Sequence, residues 1–404
     1  MATNNSFDII IAGGGIAGAF AAYRLSKLTR NIKIGLIEFG RPPGKRRKQL
    51  EGWFGCFPTS NSRLYQNDIT KVEALTGHHC DKVFDKLNHI LADFGSTKFI
   101  SSKKPSVTAK QRASKLGYTY NQYDYIQWKP ENVHLLSRFI AEEIEKNPSI
   151  QLIFDNGINA VTKKNKKFVL ETEQGIFESD KLILALGRSG WRIAKSIFDG
   201  FSMIENDDYA YYGFTAEIPS VYMKEWSGSH CSFERDNMTI GPLCWKGTVI
   251  PEDHVDLVIS SWRSNEERWN SEKVSFSVTR KDEFPAEGSK QTERLGKLAF
   301  VLSDSRVGRI RASEYFNNNL EISLVPEYHW LKDEIEALNE LFPSYLSKGA
   351  MYFPHIELVP PVINIKSDLS TKIDGLYVAG ESAGVKGILS ACLTGYIVGE
   401  SVVK

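Results

Sequence analysis

The sequence predicts an α/β chain with a Rossmann-like first part and an α+β second part, on three observations. A buried-type strand at the N-terminus runs through a glycine turn into a helix, and residues 158–186 read as a β-meander. Between 206 and 355, β-like runs alternate with one helical stretch, which suits an antiparallel sheet rather than more βαβ units.

The first element is Phe7 to Ala12, an apolar run of β-branched character suited to a strand covered on both faces. Gly13-Gly14-Gly15-Ile16-Ala17-Gly18 follows at once, and Ala19 to Leu25 reads as a helix. In this GxGxxG pattern Gly13 allows a tight turn, Gly15 lets the main chain approach a pyrophosphate, and Gly18 lets helix and strand pack closely. The free amides at the start of the helix, those of Ile16 and Ala17 included, face the phosphates. Lys33 to Glu38 is a second strand ending in a carboxylate 25 residues after Gly13. Glu38 can accept from both ribose hydroxyls of an adenosine, with Phe39 beside it, and repels a 2′-phosphate. Alone the glycine pattern is weak; between strand and helix, with that carboxylate, it predicts a dinucleotide site. Arg41 and Lys45-Arg46-Arg47-Lys48 are either phosphate contacts or a solvated basic loop.

A nicotinamide dehydrogenase uses this unit alone, whereas a flavoprotein needs a distant segment to grip the ribitol and the isoalloxazine. Such a segment is present. Leu376 to Glu381 is a strand ending in Gly380-Glu381, Ser382 to Gly387 is a small-residue loop, and Ile388 to Glu400 reads as an amphipathic helix. With Lys181 to Gly187, a strand ending in Ala-X-Gly, these segments resemble the FAD-dependent oxidoreductases of the glutathione-reductase type. The resemblance implies that the acid after the C-terminal glycine holds a ribitol hydroxyl. It also implies that the last helix points its N-terminus, at Gly387 and Ile388, toward the flavin N1/C2=O edge, where reduction builds negative charge. Glu381 stands where Asp is usual. Shorter islands, Gly187-Arg188-Ser189, Tyr212 to Glu217, Phe342 to Tyr345 and the Gly380–Ala391 block, resemble the uncharacterised FAD-dependent dehydrogenases, in which a Glu at that place is the rule.

The cofactor expected is therefore FAD, in a discontinuous domain over 1–70, 115–205 and 360–404. Residues 71–114 are read as a helical and basic insertion, and 206–359 as a substrate domain forming a roof. Within the insertion, 70–96 carry helical periodicity, while Thr97 to Lys115 hold six basic residues and no acid. That stretch is read as a solvated loop or a contact for an anionic substrate such as nucleic acid. Val133 to Ile144 is an amphipathic helix and Ile150 to Phe154 a strand. In the roof the expected strands are Ala210–Ile218, Val255–Ser261, Lys273–Val278 and Leu320–Val325, with a helix at Trp330–Leu341.

Composition bounds the partners. The 404 residues carry Lys+Arg 50 against Asp+Glu 49, so no whole-chain field draws the protein to nucleic acid or to an anionic membrane. Five scattered cysteines without a CxxC pair fit a reducing compartment and argue against zinc and dithiol chemistry. With no apolar run of about 18 residues, the expected location is the cytoplasm and no membrane contact is expected. No internal repeat and no second GxGxxG appear, so a built-in NAD(P)H dock is not expected.

The candidate catalytic residues are Lys386, as a cation near reduced flavin, and His355, as the histidine nearest the C-terminal segment. Thr59 and Ser60, in the small polar loop after the adenosine strand, join Gly13, Gly15, Ile16, Ala17, Gly18, Glu38, Phe39, Gly187, Gly380, Glu381, Gly387 and Ile388 as candidate cofactor contacts. Cys56 lacks a partner cysteine nearby. His78-His79-Cys80 lacks a second ligand pair, so no metal is expected. Arg263 and Arg311 are candidates for a substrate anion, and Trp245, Trp262, Tyr211 and Tyr212 for a roof pocket or its core. The expected reaction is hydride transfer from a C–N or C–C bond of a small molecule to flavin N5, with O2 or a diffusible acceptor taking the electrons. The alternatives are a monooxygenase or halogenase reduced by external NAD(P)H, and oxidation of an amine or base on nucleic acid.

Overall fold

The computed structural model describes residues 5–45, 52–77, 80–254, 257–263, 271–317 and 321–404. They form two units, one of residues 1–99, 126–207 and 359–404, the other of 100–125 and 208–358.

The first unit is built on a seven-stranded sheet. β1 (Ser6–Ala12) lies between parallel neighbours, β2 (Ile34–Ile37) on one side and the strand Gly175–Leu184 on the other, and Ile150–Ile153 extends the sheet beyond β2. The predicted meander is present as Ile158–Lys164, Lys167–Thr172 and Gly175–Leu184, paired antiparallel. Leu182 to Leu184 at its end also pair in parallel with the short strand Leu376–Val378. β1 is apolar because both faces are covered: Ile9, Ile10, Ile11 and Ala12 are buried.

Helix α1 (Ile16–Leu28) packs against the terminal helix Ile388–Ser401 and the helix Pro130–Glu145. The terminal helix is not amphipathic as expected. Leu389, Ser390 and every residue from Cys392 to Gly399 are buried, so it is a core helix whose small and apolar residues are covered on all faces. The periodicity over 70–96 resolves into α2 (Asn67–Thr76) and α3 (Cys80–Leu91).

The second unit carries an eight-stranded, antiparallel sheet in which Tyr209–Pro219 and Lys273–Glu283 pair along their whole lengths. Ala350–Ile356 lies on the other side of Tyr209–Pro219, and the helix Gly288–Leu302 packs on this pair of strands. Trp226, Phe233, Phe276 and Phe342 fill its core. Fold class is as predicted, with local corrections. Glu321–Leu324 is a 3-10 turn rather than part of a strand, cut short by the turn at Pro326–Tyr328. The basic stretch is not all loop: Val107–Lys115 is a helix whose Ser106 hydroxyl accepts from the Ala109 amide at 3.1 Å. The expected insertion is divided, 71–99 clustering with the first unit and 100–125 with the second.

Candidate functional site

Three strands of the first unit end at one level. Ala185 N donates to Ala12 O at 2.8 Å, and Ala379 N to Leu184 O at 2.9 Å. The loops that leave them carry Gly13 to Gly15, Gly187 and Gly380, so the three predicted segments meet at the carboxyl edge of a parallel sheet, where open α/β sheets bind ligands. Gly13, at φ +103°, passes so close to the next strand that a Cβ would sit 2.4 Å from Ala185 O.

The two chain ends are joined by a seam of small residues. A Cβ on Gly395 would lie 2.2 Å from Ala17 O, and one on Gly399 2.8 Å from Ala21 O. Glycines four apart on the terminal helix thus face alanines four apart on α1, and the two backbones nearly touch. Gly380, whose added Cβ would meet Ala17 Cβ at 3.1 Å, donates its amide to Thr394 Oγ1 at 2.9 Å. At the far end Arg24 pairs with Glu400 at 2.6 Å and lies over Tyr396. The spacing Gly395-x-x-x-Gly399 against Ala17-x-x-x-Ala21 was visible in the sequence as the signal for this contact.

At the glycine turn, fold and ligand make separable demands. A Cβ on Gly18 would lie 1.9 Å from Gly13 O, so the chain itself requires that glycine, while one on Gly14 would come within 3.0 Å of the Glu38 side chain. Gly15 is different. Its φ of −63° suits any residue, nothing lies within 4 Å of an added Cβ, and as N-cap of α1 it makes no side-chain hydrogen bond. An open cradle at an uncapped helix start, flanked by Ile16 and Ala17, is what a phosphate needs. Glu38 is buried, its Oε2 accepting from Gly14 N at 2.6 Å and its Oε1 from Gly40 N at 2.8 Å. Glu38→Ala leaves two amides unpaired, and urea denaturation is expected to show a loss of about 2 kcal/mol.

The Gly52–Ser62 loop lies against this turn: Phe54 N donates to Gly14 O at 2.8 Å, and a Cβ on Gly55 would sit 3.4 Å from Gly15 Cα. Thr59 and Ser60 use their hydroxyls locally, donating to Cys56 O and Phe57 O, each at 3.1 Å. Cys56 and Phe39 are exposed. Arg41 stands 3.8 Å from Asp155, whereas Arg46, Arg47 and Lys48 lie outside the described residues.

On the C-terminal side Glu381 is half-buried, with Arg188 Nη2 at 3.3 Å from Oε1, so the loop after Gly187 and the loop after Gly380 are tied together. Lys386 is half-buried in the loop that feeds the terminal helix. Gly387, at φ +120°, begins that helix ahead of Ile388. Ser382 and Ser390 hold buried hydroxyls without a hydrogen-bond partner among the described residues. Sequence reasoning missed these serines, Thr394 and Asp68. Asp68 comes from α2 to accept from Ser390 N at 3.4 Å, a tertiary contact without a sequence signal.

His355 belongs to the second unit, on Ala350–Ile356 opposite Gly213, buried with Nδ1 3.1 Å from Ser260 O. Arg263 is buried there, and Arg311 is exposed, 3.8 Å from Glu314. Tyr212 is a core residue whose hydroxyl lies within hydrogen-bond reach of Asp282 and, at 2.8 Å, of Glu327 O. Trp245 Nε1 donates to Ser229 O at 2.8 Å, while Trp262 and Tyr211 are half-buried. In the basic stretch Arg112 pairs with Glu225 at 2.7 Å. Cys80 is buried, and His78 and His79 lie outside the described residues. A cleft of about 270 Å³ at the C-terminal end of α1, away from the glycine turn, is lined by Lys27, Arg30, Glu143 and Lys146, and Glu143 already takes both lysines. No helix among the described residues is long and apolar enough to cross a membrane.

No protein-family model matches the chain. Over 90 residues it is 33% identical to the hydrogen cyanide synthase subunit HcnC of Pseudomonas aeruginosa, a stretch that is 19% of this chain and 21% of that protein. Among solved structures it is similar to glycine oxidase from Geobacillus kaustophilus, at TM-score 0.45 and 13% identity over 99% of this chain and 95% of that one. It is also similar to NikD, an amino acid oxidase of nikkomycin biosynthesis, at TM-score 0.42 and 11% identity over 99% and 94% of the two chains. For PqsL of P. aeruginosa in complex with 2-aminobenzoylacetate the figures are TM-score 0.38 and 11% identity over 98% and 84%.

Proposed function

We propose that the protein is an FAD-dependent oxidoreductase that takes a hydride from a C–N or C–C bond of a small molecule, with O2 or a diffusible acceptor receiving the electrons. The observation that carries this reading is that α1 and the terminal helix run side by side, Ala17 in the first turn of α1 lying against Gly395 well inside the terminal helix, so that the start of the terminal helix reaches beyond the glycine turn. A nicotinamide site needs only the first of them. The open position at Gly15 and the partnerless hydroxyls of Ser382 and Ser390 fit an extended polar ligand reaching both.

In this reading Gly13, Gly15, Ile16, Ala17 and Gly18 hold the pyrophosphate, whose charge meets the positive end of α1. Glu38 accepts from the adenosine ribose, Phe39 stands beside it, and Thr59 and Ser60 line the path toward the ring. Gly187 keeps a side chain out of the ribitol's way, Gly380 lets its loop sit close on Ala17, and Glu381 accepts from the ribitol while held by Arg188. Gly387 and Ile388 present the terminal helix to the pyrimidine edge. When bound, FAD supplies a hydride acceptor at N5. Lys386 steadies negative charge at the ring, and His355 is the candidate to hold a substrate proton.

The test is anaerobic bleaching of the FAD-loaded protein by a panel of amines, amino acids, hydroxy acids and modified nucleosides. Bleaching is expected with at least one amine or amino acid, and its restoration by air. A yellow protein that no compound bleaches, but that consumes NADPH when substrate is added, speaks for the monooxygenase reading instead. A folded protein that takes up no FAD contradicts both.

A further inference from the structure

The terminal helix begins on a carboxylate that no expected FAD contact uses. Asp68, in the first turn of α2, is wholly buried. Besides accepting from Ser390 N, its Oδ2 lies where a Cβ on Gly387 would come within 2.2 Å. Lys71, on the solvent side, reaches Oδ1 at 3.1 Å. Independently, Ser390 in the helix's first turn and Ser382 just before it are fully buried with partnerless hydroxyls, which points to a polar ligand at the same place.

Resting on the flavin reading, we propose that Asp68 is a positioning residue that sets the reduction potential of the bound flavin and makes it depend on pH. A carboxylate here offsets the positive end of the helix just where reduction builds negative charge, and a neutral carboxyl restores it. As two electrons and one proton arrive on the ring, Asp68 takes a second proton from solvent, so the site gains two electrons and two protons. Burial pushes the Asp68 carboxyl above the usual range, against the pull of Lys71 and the amides of Ser390 and Leu389. From the terminal helix the Cys392 thiol, itself pushed up by burial, faces it. On α3 and the strand Arg63–Tyr65, Cys80 is directed to Thr76 and Arg63 to Gln127, and Asp81, Lys82, Asp85 and Lys86 are exposed.

A carboxyl raised on folding stabilises in acid, and that contribution is lost as pH rises through the raised value. The cofactor-free Asp68→Asn variant is therefore expected to be more thermostable than wild type in alkali and to match it in acid. The deciding experiment measures the potential of FAD-loaded wild type, Asp68→Asn and Lys71→Met by dithionite titration against a reference dye, from mildly acid to alkaline pH. In alkali the Asn variant is expected to favour the reduced form about tenfold over wild type, about 30 mV for two electrons, with a shallower pH slope. Lys71→Met removes the lowering charge, so the steep part of the slope is expected to extend to higher pH. Equal potentials and slopes in proteins that hold FAD overturn this proposal alone. Failure of the folded wild type to take up FAD overturns the flavin reading with it.

Discussion

Gly395→Val is expected to lower stability by about 3 kcal/mol and to abolish retention of FAD. An added Cβ would lie 2.2 Å from Ala17 O, inside any real contact, and the obstacle is helix backbone rather than a side chain that can turn away. The terminal helix must move off α1, exposing Cys392, Leu393 and Tyr396 and pulling Gly380 from Ala17. Overpacking of this kind costs about 1–3 kcal/mol where neighbours adapt, and here the upper figure applies because they cannot. Thermal unfolding followed by circular dichroism checks the first half, and the flavin absorbance of the purified protein the second. Gly399→Ala, with 2.8 Å to Ala21 O, is expected to do the same more mildly.

Gly15→Val separates cofactor binding from folding. The position has ordinary φ, and its added Cβ meets open space, so the unfolding temperature is expected to stay within a few degrees of wild type. FAD affinity is expected to fall at least about tenfold, about 1.4 kcal/mol, because the branched side chain occupies the approach to the start of α1. Isothermal titration of the cofactor-free protein with FAD reads this directly. Gly13 and Gly18 offer no such separation: each lies against backbone, so substitution there unfolds as well as blocks.

The N-terminal strand, glycine turn and helix were the most legible part of the fold. Strand, glycine turn, helix and Glu38 are adjacent in the chain, and their chemistry is set by local spacing. The meander was legible for the same reason, its strands being short, alternating and joined by tight turns. The terminal helix was placed correctly but read as amphipathic, and Gly395, Gly399 and Thr394 are part of its buried surface. They are the seam that lets two helices touch. Asp68 was illegible, since nothing near Asn67-Asp68 reports that a helix more than three hundred residues later will begin on it. Arg188 was quoted only as part of a motif, and its link to Glu381 again joins two distant loops. In the basic stretch the capping signal of Ser106, three residues before the buried Ala109, is local and marks the start of a helix among the lysines.

The most direct measurement is a crystal structure of the protein grown or soaked with FAD. The account predicts one continuous ligand, its adenosine beside Glu38, its pyrophosphate on Gly15 at the start of α1, and its ring system at the start of the terminal helix near Gly387. Adenosine density at the glycine turn with no ring system reaching Gly387, or a well-folded chain that binds no FAD at all, would contradict it.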